Sequence, residues 1–246
     1  METILGIDIG GSGIKGAPVD METGELTEDR IKVLTPRPSP PGALKAAVNE
    51  VVSGFDWDGP IGVGFPGLVI NGLVRTAPRL HSSWVGENAQ VEFSNSTDLP
   101  VTVINDADAA GLAEVKFGAG KDVRGTLMVL TLGSGIGSAI IRDGVLIPNT
   151  ELGHLELNGD EAEKIASADA RKREDISWDE WAERVNSFLQ YLEMLFSPDL
   201  FIVGGGVSRR HDMFLPKTGI IAPVVPAVLR NNAGIVGAAM AAEARY

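Results

Sequence analysis

The apolar positions of the chain fall into two kinds of run. Short continuous stretches read as buried strands: Ile4-Leu5-Gly6-Ile7-Asp8-Ile9, Ile61-Gly62-Val63-Gly64-Phe65, Val101-Thr102-Val103-Ile104, Thr126 to Leu132 and Leu200-Phe201-Ile202-Val203. Between them lie helical patterns. One runs from about Gly42 to Ser53, with Leu44, Ala47, Val48, Val51 and Val52 on one stripe. A longer one runs to Phe196, with Trp181, Val185, Phe188, Leu189, Leu192 and Leu195 on its apolar side. Ser177 and Glu180 have the spacing of a capping box at its start. Ala-rich helices are expected from Ala107 to Phe117 and from about Gly234 to Ala244. Residues 35–41 form a Pro-rich loop. Residues 71–98 are polar, irregular and Trp-containing, and read as surface excursions over a cleft.

Two strands run into glycine turns and resume as strands. Ile7-Asp8-Ile9-Gly10-Gly11-Ser12-Gly13-Ile14 is echoed by Leu130-Thr131-Leu132-Gly133-Ser134-Gly135-Ile136-Gly137. Each hairpin opens a half of mixed α/β pattern, which suggests a duplicated architecture. Gly-rich hairpins are common enough for chance to compete with that reading.

Composition narrows the function classes. The chain has 246 residues, room for one large domain or two lobes. Its net charge of -12 argues against nucleic acid or an anionic membrane as the main partner. It has no cysteine, hence no disulfide framework, iron–sulfur site or thiolate zinc site. No run of eighteen apolar residues and no targeting segment is present, so a cytoplasmic, soluble location is expected. Glycine supplies 30 residues, about 12% against a usual ~7%. With apolar residues at 44%, that excess points to tight turns in a folded protein.

Glycine turns expose backbone N–H groups and let phosphates approach without Cβ clashes. Neither turn has the Walker A pattern or opens a helix as G-x-G-x-x-G. A single turn is more often a plain hairpin. Two of them, with Gly204-Gly205-Gly206 after a third strand, shift the balance towards a phosphate cradle. Asp8, a carboxylate in an apolar strand, is costly to bury without a cation or donor. It either holds Mg²⁺ beside phosphates or accepts hydrogen bonds from the turn.

Asn105-Asp106 stands where a strand ends and a helix begins. An acid there caps the helix, or serves as a base at the mouth of a sheet. Asp108 reads as a surface acid favoured by the helix dipole. Glu151 and His154, three apart, can hold two hydroxyls of one sugar, ligate a metal, or form a surface turn. Lys15, Lys172, Arg173, Arg209, Arg210, Lys217 and Arg230 are solvated by default, but any that converge would hold an anion.

In this order, six segments resemble the ROK family of sugar kinases. They are Gly6 to Gly16; Gly62-Val63-Gly64-Phe65-Pro66-Gly67; Ile104-Asn105-Asp106-Ala107-Asp108-Ala109-Ala110; Leu130 to Gly137; Glu151-Leu152-Gly153-His154; and Ile202-Val203-Gly204-Gly205-Gly206-Val207-Ser208. The resemblance covers most of the chain. It implies an α/β, actin/hexokinase-like fold (ribonuclease H-like, duplicated, two-lobed). The first lobe is expected over 1–106, with a C-terminal helix at about 234–246 packed back on it. The second lobe spans 107–233, and a sugar and phosphate cleft lies between the two. Asp106 is then the general base for a sugar 6-hydroxyl. Gly67, Asn105, Glu151, His154 and Glu163 hold the sugar. Asp8, Gly10, Gly11, Ser12, Lys15, Thr131, Gly133, Ser134, Gly135, Gly204 and Gly205 face the donor phosphates. Asp8 also faces Mg²⁺, through water or phosphate.

One departure sharpens the resemblance. Members of the family usually follow Glu-x-x-His with a Cys-rich zinc loop, and this chain has none. Ala162-Glu163-Lys164-Ile165-Ala166-Ser167 keeps the trailing pattern of that loop. The zinc-free form is similar to the polyphosphate glucokinase branch, as are Arg173 to Trp178 and Gly204 to Arg210. The resemblance thus implies a glucokinase using polyphosphate, with ATP as a possible second donor, in a homodimer. An ATP-dependent kinase for fructose or an N-acetylhexosamine stays open. A sugar-sensing repressor is disfavoured: no helix-turn-helix precedes the first strand, and the charge is wrong for DNA.

Overall fold

A computed structural model describes residues 2–215 and 219–243. Lys217 and the end of the helix expected over 234–246 lie outside the described residues. In chain order the elements are β1 (Thr3–Ile9), β2 (Ile14–Asp20), β3 (Ile31–Val33), α1 (Pro41–Val52), β4 (Ile61–Phe65), β5 (Val69–Ile70), β6 (Leu73–Val74), α2 (Ala89–Thr97), β7 (Val101–Asn105), α3 (Asp106–Phe117), β8 (Thr126–Leu132), β9 (Ile136–Arg142), β10 (Val145–Ile147), β11 (Glu156–Leu157), β12 (Asp160–Glu161), α4 (Ala162–Ala166), α5 (Ala168–Glu174), α6 (Trp178–Phe196), β13 (Leu200–Gly204), β14 (Val224–Pro226) and α7 (Ala233–Glu243). Short 3₁₀ turns occupy Ser82–Trp84, Leu152–His154 and Gly206–Met213. Among the described residues no helix is long and apolar enough to cross a membrane.

The chain forms two compact units. The first holds residues up to Ala113 and those from Asn232 onward; the second is Glu114–Asn231. The division falls inside α3, not at the strand–helix junction 106/107. Ala107, Ala109, Ala110 and Ala113 are buried in the first unit's core. The very next residue, Glu114, accepts hydrogen bonds from Ala119, Val228 and Leu229 N–H groups of the second unit. A continuous helix hides this boundary from a sequence pattern.

Each unit carries a five-stranded sheet of one topology. The orders are β3-β2-β1-β4-β7 and β10-β9-β8-β13-β14. In each, the first three strands of the repeat meander antiparallel, and two further strands run parallel to the first. The glycine hairpins are therefore the same corner of a duplicated fold. β1 and β8 are buried on both faces, which explains their largely apolar sequences.

The second unit's two faces divide by parity. Met128, Leu130 and Leu132 share a core with Trp181, Val185, Phe188, Leu189 and Leu192 of α6. Leu127 and Val129 pack with Ile141, Ile202 and Val115. α6 starts as its cap predicts, with Ser177 Oγ accepting from Glu180 N at 3.1 Å. Only half of the capping box forms, because the Glu180 carboxylate turns to Arg184.

In the first unit α1 and α7 cover opposite faces. Gly16 of β2, opposite Ile7, touches Val51 of α1, whereas Gly6 faces α7. The seat of α7 is made of glycines. Gly6 and Gly62 are register partners on β1 and β4, and a Cβ on either would drive into the Ile235 or Ala238 carbonyl of α7. Gly237 of α7 meets the Ala109 backbone of α3 in the same way.

The segment 71–98 corrects the sequence expectation. Much of it is exposed, but it is anchored in the core: Trp84 and Phe93 are both fully buried, and Trp84 packs edge-on to Phe65. The Trp84 indole N–H reaches Ser39 O at 3.1 Å. α2 hides from the sequence because only Ala89 and Phe93 of its nine residues are buried.

Gly62→Ala should destabilise the chain by on the order of 3 kcal/mol, since backbone rather than a flexible side chain must give way. Gly11→Ala, whose Cβ would meet nothing within 4 Å, should be near neutral. Urea midpoints read the contrast; equal midpoints for the two variants would refute the glycine seat.

Candidate active site

In the first unit the C-terminal ends of the parallel strands β1, β4 and β7 carry Asp8, the Phe65-Pro66-Gly67 segment and Asn105-Asp106. Ligands of open α/β sheets bind at this edge. Asp8 and Lys15 are cross-strand partners, and Lys15 Nζ donates to Asp8 Oδ2 at 3.3 Å. Burial pushes the Asp8 carboxyl above its ordinary value, with Lys15 pulling against it. Gly234, in the first turn of α7, packs against that carboxylate; a Cβ there would come within 2.8 Å of Asp8 Cγ. The helix end also favours a negative charge at this place.

The glycine turn after β1 is closed by Gly10 N donating to Gly13 O at 3.1 Å. The Pro-rich loop braces it: Thr35 Oγ1 donates to Gly10 O at 2.6 Å and Arg37 to Gly11 O at 3.0 Å. Thr35 and Arg37 were not foreseen from the sequence, because the bracing crosses from β3's far side to β1.

Asp106 is the first residue of α3 and partly exposed. Its setting is fixed by Asn105. The Asn105 Oδ1 accepts from Ala107 N at 2.8 Å and Asp108 N at 3.0 Å, capping the helix. Its Nδ2 donates to Gly67 O at 3.1 Å. Asn105 thus ties Gly67 to the helix end that carries Asp106, a role its placement among sugar ligands had not included. Gly67 itself packs on the Thr76 carbonyl, leaving no room for a side chain. Asp108 corrects its reading as a surface acid: it is 1% exposed.

The second unit gathers the other polar candidates. Ser138 of β9 is buried; its Oγ donates to Thr150 O at 2.6 Å and accepts from Leu152 N at 3.0 Å. Gly153 then packs on Ile136, so the turn holding Glu151 and His154 is pinned to the start of β9. Glu163 of α4 accepts from Ile136 N at 3.3 Å and so reaches the same strand end. Glu151 lies 4.0 Å from His154 Nε2, and Glu161 lies 3.5 Å from its Nδ1. His154, Glu161 and Glu163 each place a ligand atom within 4.8 Å of the others, so the trio has the chemistry to hold a cation as well as hydroxyls. Glu161 was missed because nothing in the sequence marks a residue on the two-residue strand β12.

The second glycine turn closes through Gly133 N to Gly135 O at 2.9 Å. Thr131 and Gly204 are register partners on β8 and β13, and Gly205, at φ 85°, lies against the Leu132 backbone. The turn at 133–135 and the glycines at 204–206 therefore end neighbouring parallel strands. Open space surrounds Gly133 and Gly206, which leaves backbone accessible there.

The chain has known relatives. The sequence model of the ROK family matches residues 4–166. The polyphosphate glucokinase of Mycobacterium tuberculosis is 52% identical over 241 residues, covering 98% of this chain and 91% of that protein. The crystal structure of an inorganic polyphosphate/ATP-glucomannokinase from Arthrobacter sp. strain KM superposes with a TM-score of 0.96 at 48% identity, over all of both chains. A ROK family glucokinase from Streptomyces griseus, in complex with glucose and AMPPNP, gives a TM-score of 0.80 at 27% identity, over 99% of this chain and 100% of that one.

A carboxyl whose folded value is raised stabilises the fold below its unfolded value, and that contribution is lost as pH rises through the folded one. Asp8→Asn removes the titration. Its stability relative to the unsubstituted chain should therefore increase as pH rises from 3.8 and level off above the raised value. Urea unfolding at several pH values measures this. A relative stability that falls across the window would mean that Lys15, not burial, governs Asp8.

Proposed function

Because the chain belongs to the ROK family, we propose that it is a glucokinase that draws its phosphoryl group from inorganic polyphosphate, with ATP as a second donor. The product is glucose 6-phosphate. The observation that carries this reading is the fixed setting of Asp106, supported by the 52% identity to a polyphosphate glucokinase.

Asp106 is the general base. It accepts the proton of the sugar 6-hydroxyl as that oxygen bonds to the terminal phosphorus, and the bond to the remaining phosphate chain breaks. Asn105 and Gly67 hold Asp106 in place. Glu151, His154 and Glu163 hold sugar hydroxyls, and we assign His154 and Glu163 to the sugar rather than to zinc. The amides of the glycine turns face charge that develops on the transferring group. Asp8 is a single carboxylate already paired with Lys15, beside a turn with open space at Gly11. That donor set suits Mg²⁺ held through water and donor phosphates rather than in a protein cage. When bound, the ion neutralises phosphate charge.

The reading extends to a cytoplasmic homodimer. The absence of cysteine and of a membrane-crossing helix among the described residues supports the location. The apolar side chains of Met194, Leu195 and Phe196 are exposed at the end of α6, and Ile221 is 95% exposed. The Glu193 carboxylate binds the Ile221 and Ala222 N–H groups, so these side chains lie on one patch suited to a second copy.

A coupled glucose 6-phosphate assay, with polyphosphate and ATP offered separately, tests the donor. Both should support turnover, and activity with ATP alone would overturn the polyphosphate assignment. Asp106→Asn should lose at least about 10³-fold in kcat, with glucose binding retained by calorimetry. Near-normal turnover would remove Asp106 as the base. In sedimentation, Ile221→Asp should shift the dimer to monomer; an unchanged dimer would place the interface elsewhere.

A further inference from the structure

Two basic segments of the second unit converge on one indole. α5 starts on the glycine turn after β8, where Asp169 N donates to Gly133 O at 3.1 Å. Its next residues are Arg171, Lys172 and Arg173. The 3₁₀ segment Gly206–Met213 starts beside the same turn, since Gly205 rests on Leu132 and accepts from Ser208. It carries Arg209, Arg210 and His211. The Arg171 guanidinium lies 4.0 Å from the Trp178 ring centroid, and that of Arg210 lies 5.8 Å from the same centroid.

Trp178 is a firm platform. It packs edge-on to Trp181 at 5.8 Å and stacks on Phe214 at 6.3 Å, and both of those rings are buried. A guanidinium stacked on an indole is oriented before any ligand arrives and keeps a planar edge of N–H donors for phosphate oxygens.

The cations differ in what they are paired with. Arg173 is engaged by Glu174 at 3.0 Å and by Lys164 O, and Glu174 is shared with Arg184 at 2.7 Å. Arg171 donates to Ile176 O at 3.3 Å, which uses one of its five N–H groups. Among the described residues, Arg171, Lys172, Arg209 and Arg210 make no ion pair, although Asp169, Asp175, Asp179 and Asp212 lie on or beside the same segments. Four cations without an ion pair keep N–H donors to offer a polyanion, in a chain of net charge -12.

We propose that Arg171 and Arg210, on Trp178, with Lys172 and Arg209 next to them in the chain, bind the tail of a polyphosphate chain: the phosphates behind those that face the glycine turn after β8. The proposal rests on the polyphosphate reading above. It selects among the cations named from the sequence. Lys15 is committed to Asp8, Arg173 to Glu174, and Arg171 is added. A donor of three phosphates has no tail to place there.

The test compares donors on the full chain. In Lys172→Gln/Arg210→Gln, KM for long-chain polyphosphate should rise about 10-fold, as for lost charge-assisted hydrogen bonds. kcat, the KM for glucose and the ATP kinetics should stay within about twofold, and KM for the long chain should depend less on salt. Arg210→Lys should recover part of the loss. Equal losses with ATP and long-chain polyphosphate, or an unchanged long-chain KM, would overturn the path. If the unsubstituted chain turns over ATP alone, the donor reading falls. Calorimetric binding of polyphosphate that the double variant weakens would then still uphold the path, and absent binding would remove it.

Discussion

The first unit depends on how closely one helix can approach one sheet. α7 lies on β1 and β4 with its backbone carbonyls in the space where Gly6 and Gly62 have no Cβ, and its own Gly237 lies against α3. Dispersion and burial weaken quickly with distance, so this contact makes the sheet, α7 and α3 one packed body. The chemistry follows from it. The same helix brings Gly234 against Asp8, and the helix it touches through Gly237 begins at Asp106. The residues expected to meet donor and acceptor thus depend on a packing contact that itself does no chemistry.

Duplication gives the protein two edges of one design used differently. In each unit a glycine hairpin sits beside the ends of two parallel strands. The first unit fills that edge with carboxylates, Asp8 and Asp106. The second uses open glycine backbone, at 133 and 206, and keeps its carboxylates on the turn and helix that follow β9 and β10. One topology therefore presents carboxylates at this edge in one half and open glycine backbone in the other.

What the sequence revealed was what is local. Strands buried on both faces, such as Thr126–Leu132, announce themselves, and so do glycine turns and the stripe of α6. Short edge strands did not: Ile31–Val33, Val145–Ile147 and Val224–Pro226 owe their form to a neighbour rather than to their own pattern. The site divided in the same way. Asp106 stood out because a strand-to-helix junction is visible in sequence. The double duty of Asn105, the burial of Asp108, the bracing by Thr35 and Arg37, and the meeting of Arg171 and Arg210 at Trp178 are tertiary facts. No spacing rule reaches across so many residues.

The return of α7 also sets an order of assembly. The second unit is one uninterrupted stretch of chain, whereas the first is completed by a segment made after all of the second. During synthesis, Glu114–Asn231 can reach its final fold while β1 and β4 still present an unfilled groove of glycine and apolar side chains. The half of the molecule that leaves the ribosome first is therefore the half that finishes last. Until α7 arrives, that sheet face lacks its cover.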